Sequence, residues 1–172
     1  MNAADKYFLK AKDNYPHDLD KALEALEYGL SCDNEHAGLL TLQGTIYHND
    51  LKQFDAAEEC FELALFYNKN YVDTWYSYIT FAIEMNDLTK ADKLIQSAMK
   101  VRGTEIARIY YRAALLADRK GAYAEAVDTI QKARLNCCCK ECYDFLKDET
   151  DRLQMKLKVH TEQNSMINII LT

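Results

Sequence analysis

Apolar positions recur along this chain with a period of about 34 residues. A column of small residues is spaced by 35, 34 and 35 positions: Ala22, Ala57, Ala91 and Ala126. Three further columns accompany the alanines. Three residues before each alanine stand Leu19, Phe54, Leu88 and Tyr123, and four residues after it stand Leu26, Phe61, Ile95 and Ile130. Seven residues after each alanine stand the small residues Gly29, Ala64, Ala98 and Ala133. Residues at these offsets lie on one face of a helix with 3.6 residues per turn. The columns therefore predict four helices that approach their neighbours closely through small residues.

The segment before each of the last three alanine-marked helices is also predicted to be helical. The three segments and their apolar faces are residues 37–49 with Leu40, Gly44 and Tyr47, residues 72–85 with Trp75, Tyr78, Ile79 and Ala82, and residues 105–119 with Tyr110, Ala114 and Ala117. Short polar turns follow them at residues 50–53, 86–89 and 120–123. The sequence therefore predicts an all-α protein of helix–turn–helix repeats, and its single Pro and five Gly agree with long helices.

These repeats resemble the tetratricopeptide repeat (TPR) family. That family places an aromatic and a small residue in the first helix and a Gly near the turn. An aromatic residue, Ala, an aromatic residue and Ala follow in its second helix. The second repeat matches almost fully, with one extra residue in its turn: Leu40, Gly44, Tyr47, Phe54, Ala57, Phe61 and Ala64. The repeats that contain Trp75 and Tyr110 also match, although Ile79 stands where a small residue is usual, and the family's terminal Pro is absent throughout.

The resemblance implies a right-handed superhelix of about four TPR-like repeats in a single domain, residues 1–160. The predicted repeats are residues 3–35, 37–70, 72–104 and 107–138, and residues 140–160 form a predicted capping helix over the last apolar face. Residues 161–172 are predicted to be an apolar tail that ends in MINIILT. Docking of this tail on a neighbouring copy would make a homo-oligomer, and fraying is the alternative.

Composition and charge exclude several classes of function. A net charge of −6 disfavours general attraction to nucleic acid or anionic membrane, and no apolar stretch approaches the roughly 20 residues needed to span a bilayer. The N-terminus does not read as a signal peptide, so the six cysteines are expected as reduced thiols in the cytoplasm. The four histidines are scattered, and neither a phosphate-binding loop nor a nucleophile elbow is present. We therefore expect no enzyme and no cofactor.

The resemblance also implies where a partner binds. In TPR proteins the first helices of the repeats line a concave groove that takes a peptide or helix of another protein. The matching positions here are Thr41, Thr45, His48, Asp73, Tyr76, Thr80, Ile83, Arg108, Tyr111, Arg112, Leu115 and Arg119. The protein is thereby expected to be a non-catalytic scaffold for protein–protein interaction, with this surface as its binding site.

Three arginines give this predicted surface its chemistry. Arg108, Arg112 and Arg119 are four and seven residues apart in turn and share a helical face. Guanidinium groups bind carboxylates in a bidentate manner, so an acidic segment is the predicted ligand. The alternative is a solvated face whose arginines pair with carboxylates of the same repeat, namely Glu105, Asp118 and Asp128.

A cysteine-rich run, residues 137–142 (CCCKEC), supports a different function. Cys139 and Cys142 have the spacing of a zinc-binding pair, and Cys138 or Cys137 could supply a third ligand. Only one such pair exists, and a four-ligand site needs two more ligands, so no metal site is expected, and Cys138, Cys139 and Cys142 are the candidate ligands in the alternative. A position for Cys142 in the first turn of a helix would lower its pKa and favour redox chemistry. The alternative function is thus a metal- or redox-responsive regulator. A third interpretation is that these small side chains only fill the last interface.

Overall fold

The computed structural model describes residues 2–170, and the side chains of residues 2–165. Over this part of the chain the structure contains nine α-helices, one π-helical turn and no β-strand. The elements are α1 Ala3–Asn14, α2 Leu19–Cys32, α3 Ala37–Ile46, the π-helical turn Tyr47–Leu51, α4 Phe54–Tyr67, α5 Val72–Glu84, α6 Leu88–Ala98, α7 Ile106–Arg119, α8 Tyr123–Leu135 and α9 Lys140–Ile170. The all-α prediction is confirmed. None of these helices combines the length and apolarity that crossing a membrane requires.

The chain divides into two compact units. The first contains the residues up to Phe81 together with Val101–Gly103, and the second contains Ala82–Lys100 and the residues from Thr104 onward. In the first unit α1 packs on α2, α2 on α3, and α3 on α4. In the second, α7 packs on α6 and α8, and α8 packs on α9.

The small residue Gly44 of the second repeat allows a close helix–helix approach in the first unit. A Cβ atom at Gly44 would lie 2.9 Å from the Phe61 ring and 3.1 Å from the carbonyl oxygen of Ala57. Since real Cβ atoms are essentially never found nearer than 3.0 Å to such neighbours, α3 and α4 could not pack this closely with a larger residue at Gly44. The predicted role of small residues is thus visible in the backbone packing.

The turns after α5 and α7 share one geometry. Each contains a residue in the left-handed region, Asn86 (φ 60°) or Gly121 (φ 73°). The next amide N–H donates to the carbonyl five residues earlier, from Asp87 to Ala82 and from Ala122 to Ala117, both at 2.9 Å. This hydrogen bond is the Schellman motif that commonly ends α-helices.

The turn after α3 is one residue longer, as its sequence predicted. α3 passes into the π-helical turn Tyr47–Leu51, and Lys52 adopts the left-handed conformation (φ 54°). The closing hydrogen bond runs from the Gln53 N–H to the Tyr47 carbonyl, six residues apart, at 2.9 Å. The extra residue is therefore accommodated by widening the last helical turn, and α4 begins directly afterwards.

The second unit has its own apolar core. It consists of Ala114, Ala117, Ala126, Ile130, Ala133, Leu146 and Leu153, of which the last two come from α9. α9 continues to Ile170, whereas the predicted capping helix ended at residue 160, so part of the predicted tail is helical. The side chains of residues 166–172, on which the predicted self-association depends, lie outside the described residues.

An ion-pair network joins α7 to α9. Asp118, whose side chain is 10% exposed, accepts hydrogen bonds from Arg152 Nη1 at 2.9 Å and from Lys156 Nζ at 2.8 Å. Arg152 also donates to Glu149 at 2.9 Å. Partial burial by itself raises the pKa of Asp118, but the hydrogen bonds from Lys156 and Arg152 outweigh it and hold the pKa below the ordinary value of 3.8.

Replacing Asp118 with Asn should therefore destabilise the protein in a pH-dependent manner. At neutral pH we expect a loss of about 1.5–3 kcal/mol, the usual contribution of hydrogen bonds to a charged group. Because the folded-state pKa is lowered, this stabilisation is present above about pH 4 and disappears as the pH falls through the lowered pKa. The difference between wild type and variant in urea unfolding should shrink accordingly below pH 4.

Asp128→Asn is the matched control for this prediction. Asp128 pairs with Lys132 at 2.6 Å, but both side chains are largely exposed, so its loss should cost less than about 1 kcal/mol. Equal costs for the two variants would contradict a special role for the Asp118 network.

Candidate functional site

The predicted partner surface of the first unit is partly buried. Thr41 lies under the surface, where its Oγ1 donates to the Ala37 carbonyl at 2.7 Å and lies 2.6 Å from Oγ1 of the fully buried Thr74. His48 is also buried, and its ring packs edge-on against Phe81 with centroids 5.1 Å apart. These side chains hold helices together, and they do not offer a surface to a partner.

Two further residues of the predicted partner surface are excluded from it by their burial. Tyr76 in the first unit and Ile83 in the second are both buried, so four of the twelve predicted contact residues are core residues in the structure. For two of the four the covering residue is known: Phe81 packs on His48, and Thr74 meets Thr41, so residues far along the chain bury positions that the repeat pattern would leave open. Thr45 and Thr80 are half-buried and donate to main-chain carbonyls one helical turn earlier, and Asp73 is exposed.

The predicted residues on α7 keep more of their surface. Arg108, Tyr111, Arg112 and Leu115 are half-buried, and Arg119 is exposed. Arg108 Nη1 lies 3.7 Å from Glu105 Oε1, and Arg112 Nη1 donates to the Arg108 carbonyl at 3.1 Å. The Tyr111 ring packs edge-on against Phe145 of α9, with centroids 5.2 Å apart. α7 thus presents guanidinium groups beside a partly exposed aromatic and aliphatic surface.

The alternative interpretation paired the α7 arginines with Glu105, Asp118 and Asp128, and the structure shows one of these three pairings. Glu105 lies beside Arg108, as that alternative required. Asp118 instead binds Arg152 and Lys156, and Asp128 binds Lys132. The sequence did not reveal the Asp118 contacts, because they depend on how α9 packs across more than thirty residues of chain.

The cysteine run forms a compact cluster at the start of α9. The Sγ atoms of Cys137, Cys139 and Cys142 all lie within 4.8 Å of one another. Cys139 directly precedes α9, and its Sγ accepts the Cys142 N–H at 3.4 Å, while Cys137 Sγ donates to the Cys139 carbonyl at 3.3 Å. Cys138 is exposed and does not belong to this group.

Of the two residues that could complete the Cys139–Cys142 pair, the structure places Cys137 in the cluster and Cys138 outside it. The spacing of Cys139 and Cys142 left Cys137 and Cys138 as equal choices for the third sulfur. The bend between α8 and α9 decides between them, because it brings the Cys137 sulfur to the other two and leaves Cys138 exposed.

The predicted low pKa of Cys142 is wrong. Its position in the first turn of α9 is as expected, but its hydrogen bond with Cys137, burial and the neighbouring thiols together raise its pKa to about 12. At neutral pH Cys142 is thus a neutral thiol. The structure removes the argument for a reactive thiolate at this residue.

Comparison with known proteins identifies the fold. No protein-family model matches the sequence, and no curated protein matches it. Among solved structures, a crystal structure of MamA is similar with a TM-score of 0.64 and 21% identity over 77% of each chain. MamA 41-end from Desulfovibrio magneticus RS-1 has a TM-score of 0.64 and 16% identity over 96% of this chain and 97% of that one. A further MamA structure has a TM-score of 0.60 and 18% identity over 95% of this chain and 94% of the other. The chain therefore has the all-helical, TPR-like repeat fold seen in MamA.

Proposed function

We propose that this protein is a non-catalytic scaffold that binds an acidic segment of a partner protein through α7. The TPR-like fold supports the general role, since stacked helix pairs present long surfaces for binding other proteins. The observation that carries the specific role is the arginine face of α7, formed by Arg108, Arg112 and Arg119 around Leu115.

The charges around this face favour an acidic ligand. Two carboxylates of the same repeat are bound to other cations: Asp118 to Arg152 and Lys156, and Asp128 to Lys132. Arg119 is exposed and can be reached without rearrangement. A partner carboxylate would gain charge-assisted hydrogen bonds from the guanidinium groups, and Leu115 and Tyr111 would bury apolar area beside them. Such a complex would form despite the overall charge of −6, because screening limits distant repulsion to about 8 Å at physiological salt.

The double variant Arg108→Ala/Arg112→Ala tests this proposal. Short acidic and charge-neutral peptides displayed on phage would be selected on the wild-type chain, and the best ligand measured by fluorescence anisotropy. We expect selection of Asp- and Glu-rich peptides and at least a tenfold weaker Kd in the double variant, since each charged hydrogen bond contributes about 1.5–3 kcal/mol. Binding should also weaken as salt is raised.

Lys21→Ala/Lys132→Ala is the matched control, because it removes the same charge from two exposed side chains of other helices. It should leave the Kd within about twofold and the unfolding midpoint nearly unchanged. Selection of neutral peptides, or equal loss of affinity in the control, would contradict a role for the α7 arginines.

A further inference from the structure

We propose that Cys137, Cys139 and Cys142 form a three-thiolate site for one thiophilic metal ion, Zn²⁺ or Cu⁺. The three sulfur atoms already lie within 4.8 Å of one another although they are spread over six residues of chain. Thiolate sulfur is the ligand that both ions prefer in proteins. The site is independent of the arginine face of α7 proposed above.

The geometry needs little adjustment to hold such an ion. With a Zn–S distance of about 2.3 Å, ligand sulfurs around one zinc are about 3.8 Å apart. A movement of about 1 Å or less, available through side-chain rotation, would bring the three Sγ atoms from their present separation to this value. All three are close to the surface, with Cys139 exposed and the other two half-buried, so an ion can enter from solvent.

The backbone around the cluster favours an anionic metal–thiolate group. Cys139 directly precedes α9, where the unpaired N–H groups of the first turn give a helix its positive end. One of these groups, the Cys142 N–H, already points at the Cys139 sulfur at 3.4 Å. A backbone N–H that donates to a ligand sulfur orients that ligand and stabilises its negative charge in a metal site.

The three residues join two parts of the second unit. Cys137 belongs to the segment after α8, whereas Cys142 belongs to the first turn of α9. An ion held by both would cross-link the connection between these helices and fix the start of α9, which supplies Leu146 and Leu153 to the core. Cys138 lies outside the cluster, so the fourth position on Zn²⁺ would be open to water, whereas Cu⁺ is satisfied by three thiolates.

Metal titration of the reduced, metal-stripped full chain under anaerobic conditions tests the site. Zn²⁺ and Cu⁺ are added separately against a chromophoric chelator of known affinity, and sedimentation follows the oligomeric state. We expect one equivalent of at least one ion per monomer, and a rise in the unfolding temperature with that ion. Binding of one ion and not the other identifies the ion. No stoichiometric binding of either, or an ion that bridges two chains, would overturn the proposal.

Serine variants separate the cluster from the rest of the cysteine run. Cys137→Ser and Cys142→Ser should each weaken metal affinity at least tenfold, whereas Cys138→Ser should bind as wild type does. Circular dichroism of the metal-free variants verifies that each one folds. Cobalt substitution gives a second measurement, because the sulfur-to-cobalt absorption should correspond to three thiolates and fall in the two cluster variants. Equal loss of affinity in Cys138→Ser would reject the assigned triplet.

The metal site and the arginine face of α7 can be tested independently. The Arg108→Ala/Arg112→Ala variant should bind the ion normally, so failure of one proposal does not decide the other.

Discussion

Replacing Trp75 with alanine is expected to lower the free energy of unfolding by about 3–5 kcal/mol, the range found for removal of a buried large aromatic side chain. Trp75 is 8% exposed, and its indole Nε1–H donates to the Lys69 carbonyl at 2.8 Å. The substitution removes the apolar contacts of the ring and leaves that carbonyl without this donor. Urea unfolding followed by circular dichroism would measure the loss.

Trp75→Phe separates the two contributions. The phenyl ring keeps much of the buried apolar area but cannot donate to Lys69, so we expect a smaller cost of about 1–2 kcal/mol. An unfolding midpoint for Trp75→Ala that equals that of wild type would show that the Trp75 ring does not contribute to the core as its burial indicates.

Phe61→Ala should have an effect of similar size, about 3–5 kcal/mol. The Phe61 ring is 1% exposed and stacks on Tyr78 with centroids 5.5 Å apart, and Phe81 lies 5.7 Å away. Aromatic pairs of this kind add about 0.5–1.5 kcal/mol beyond the area that they bury. Removal of Phe61 would leave a cavity between α4 and the Tyr78 and Phe81 rings of α5, and the same unfolding measurement would detect it.

Phe61→Leu is the appropriate control, since the equivalent positions of the other repeats hold Leu26, Ile95 and Ile130, all buried. A residue of that size is compatible with the repeat, so we expect less than half of the loss seen with alanine. If leucine costs as much as alanine, the four positions are not equivalent, and the repeat register is wrong.

Periodicity predicted the helices and most of the core. The alanine column and the two columns that follow it, from Leu26 to Ala133, are buried in all four repeats. The column three residues before the alanines is different: Phe54 is exposed, and Leu19, Leu88 and Tyr123 are half-buried. These residues stand at the first positions of their helices, where a side chain has neighbours on one side only. Spacing shows that residues share a face, but not how far along the helix that face is covered.

The candidate binding surface was less predictable because it depends on side chains from elsewhere in the chain. His48 stands at a position that the TPR pattern leaves open, yet Phe81, thirty-three residues later, packs on its ring. Likewise Thr41 meets Thr74 across two helices. No local pattern contains such contacts. The arginines of α7 escape this problem, because long charged side chains keep their ends near solvent whatever packs beside them.

The widened turn after α3 has a consequence for how such a chain can change in length. In a regular α-helix, one inserted residue rotates every later side chain by about 100° and would turn the buried face toward water. The π-helical turn Tyr47–Leu51 confines that rotation to itself, and Ala57 and Phe61 are as deeply buried as their counterparts in repeats without the insertion. Insertions and deletions in related chains should therefore accumulate at this point, because here a change in length does not alter which face of the next helix is buried.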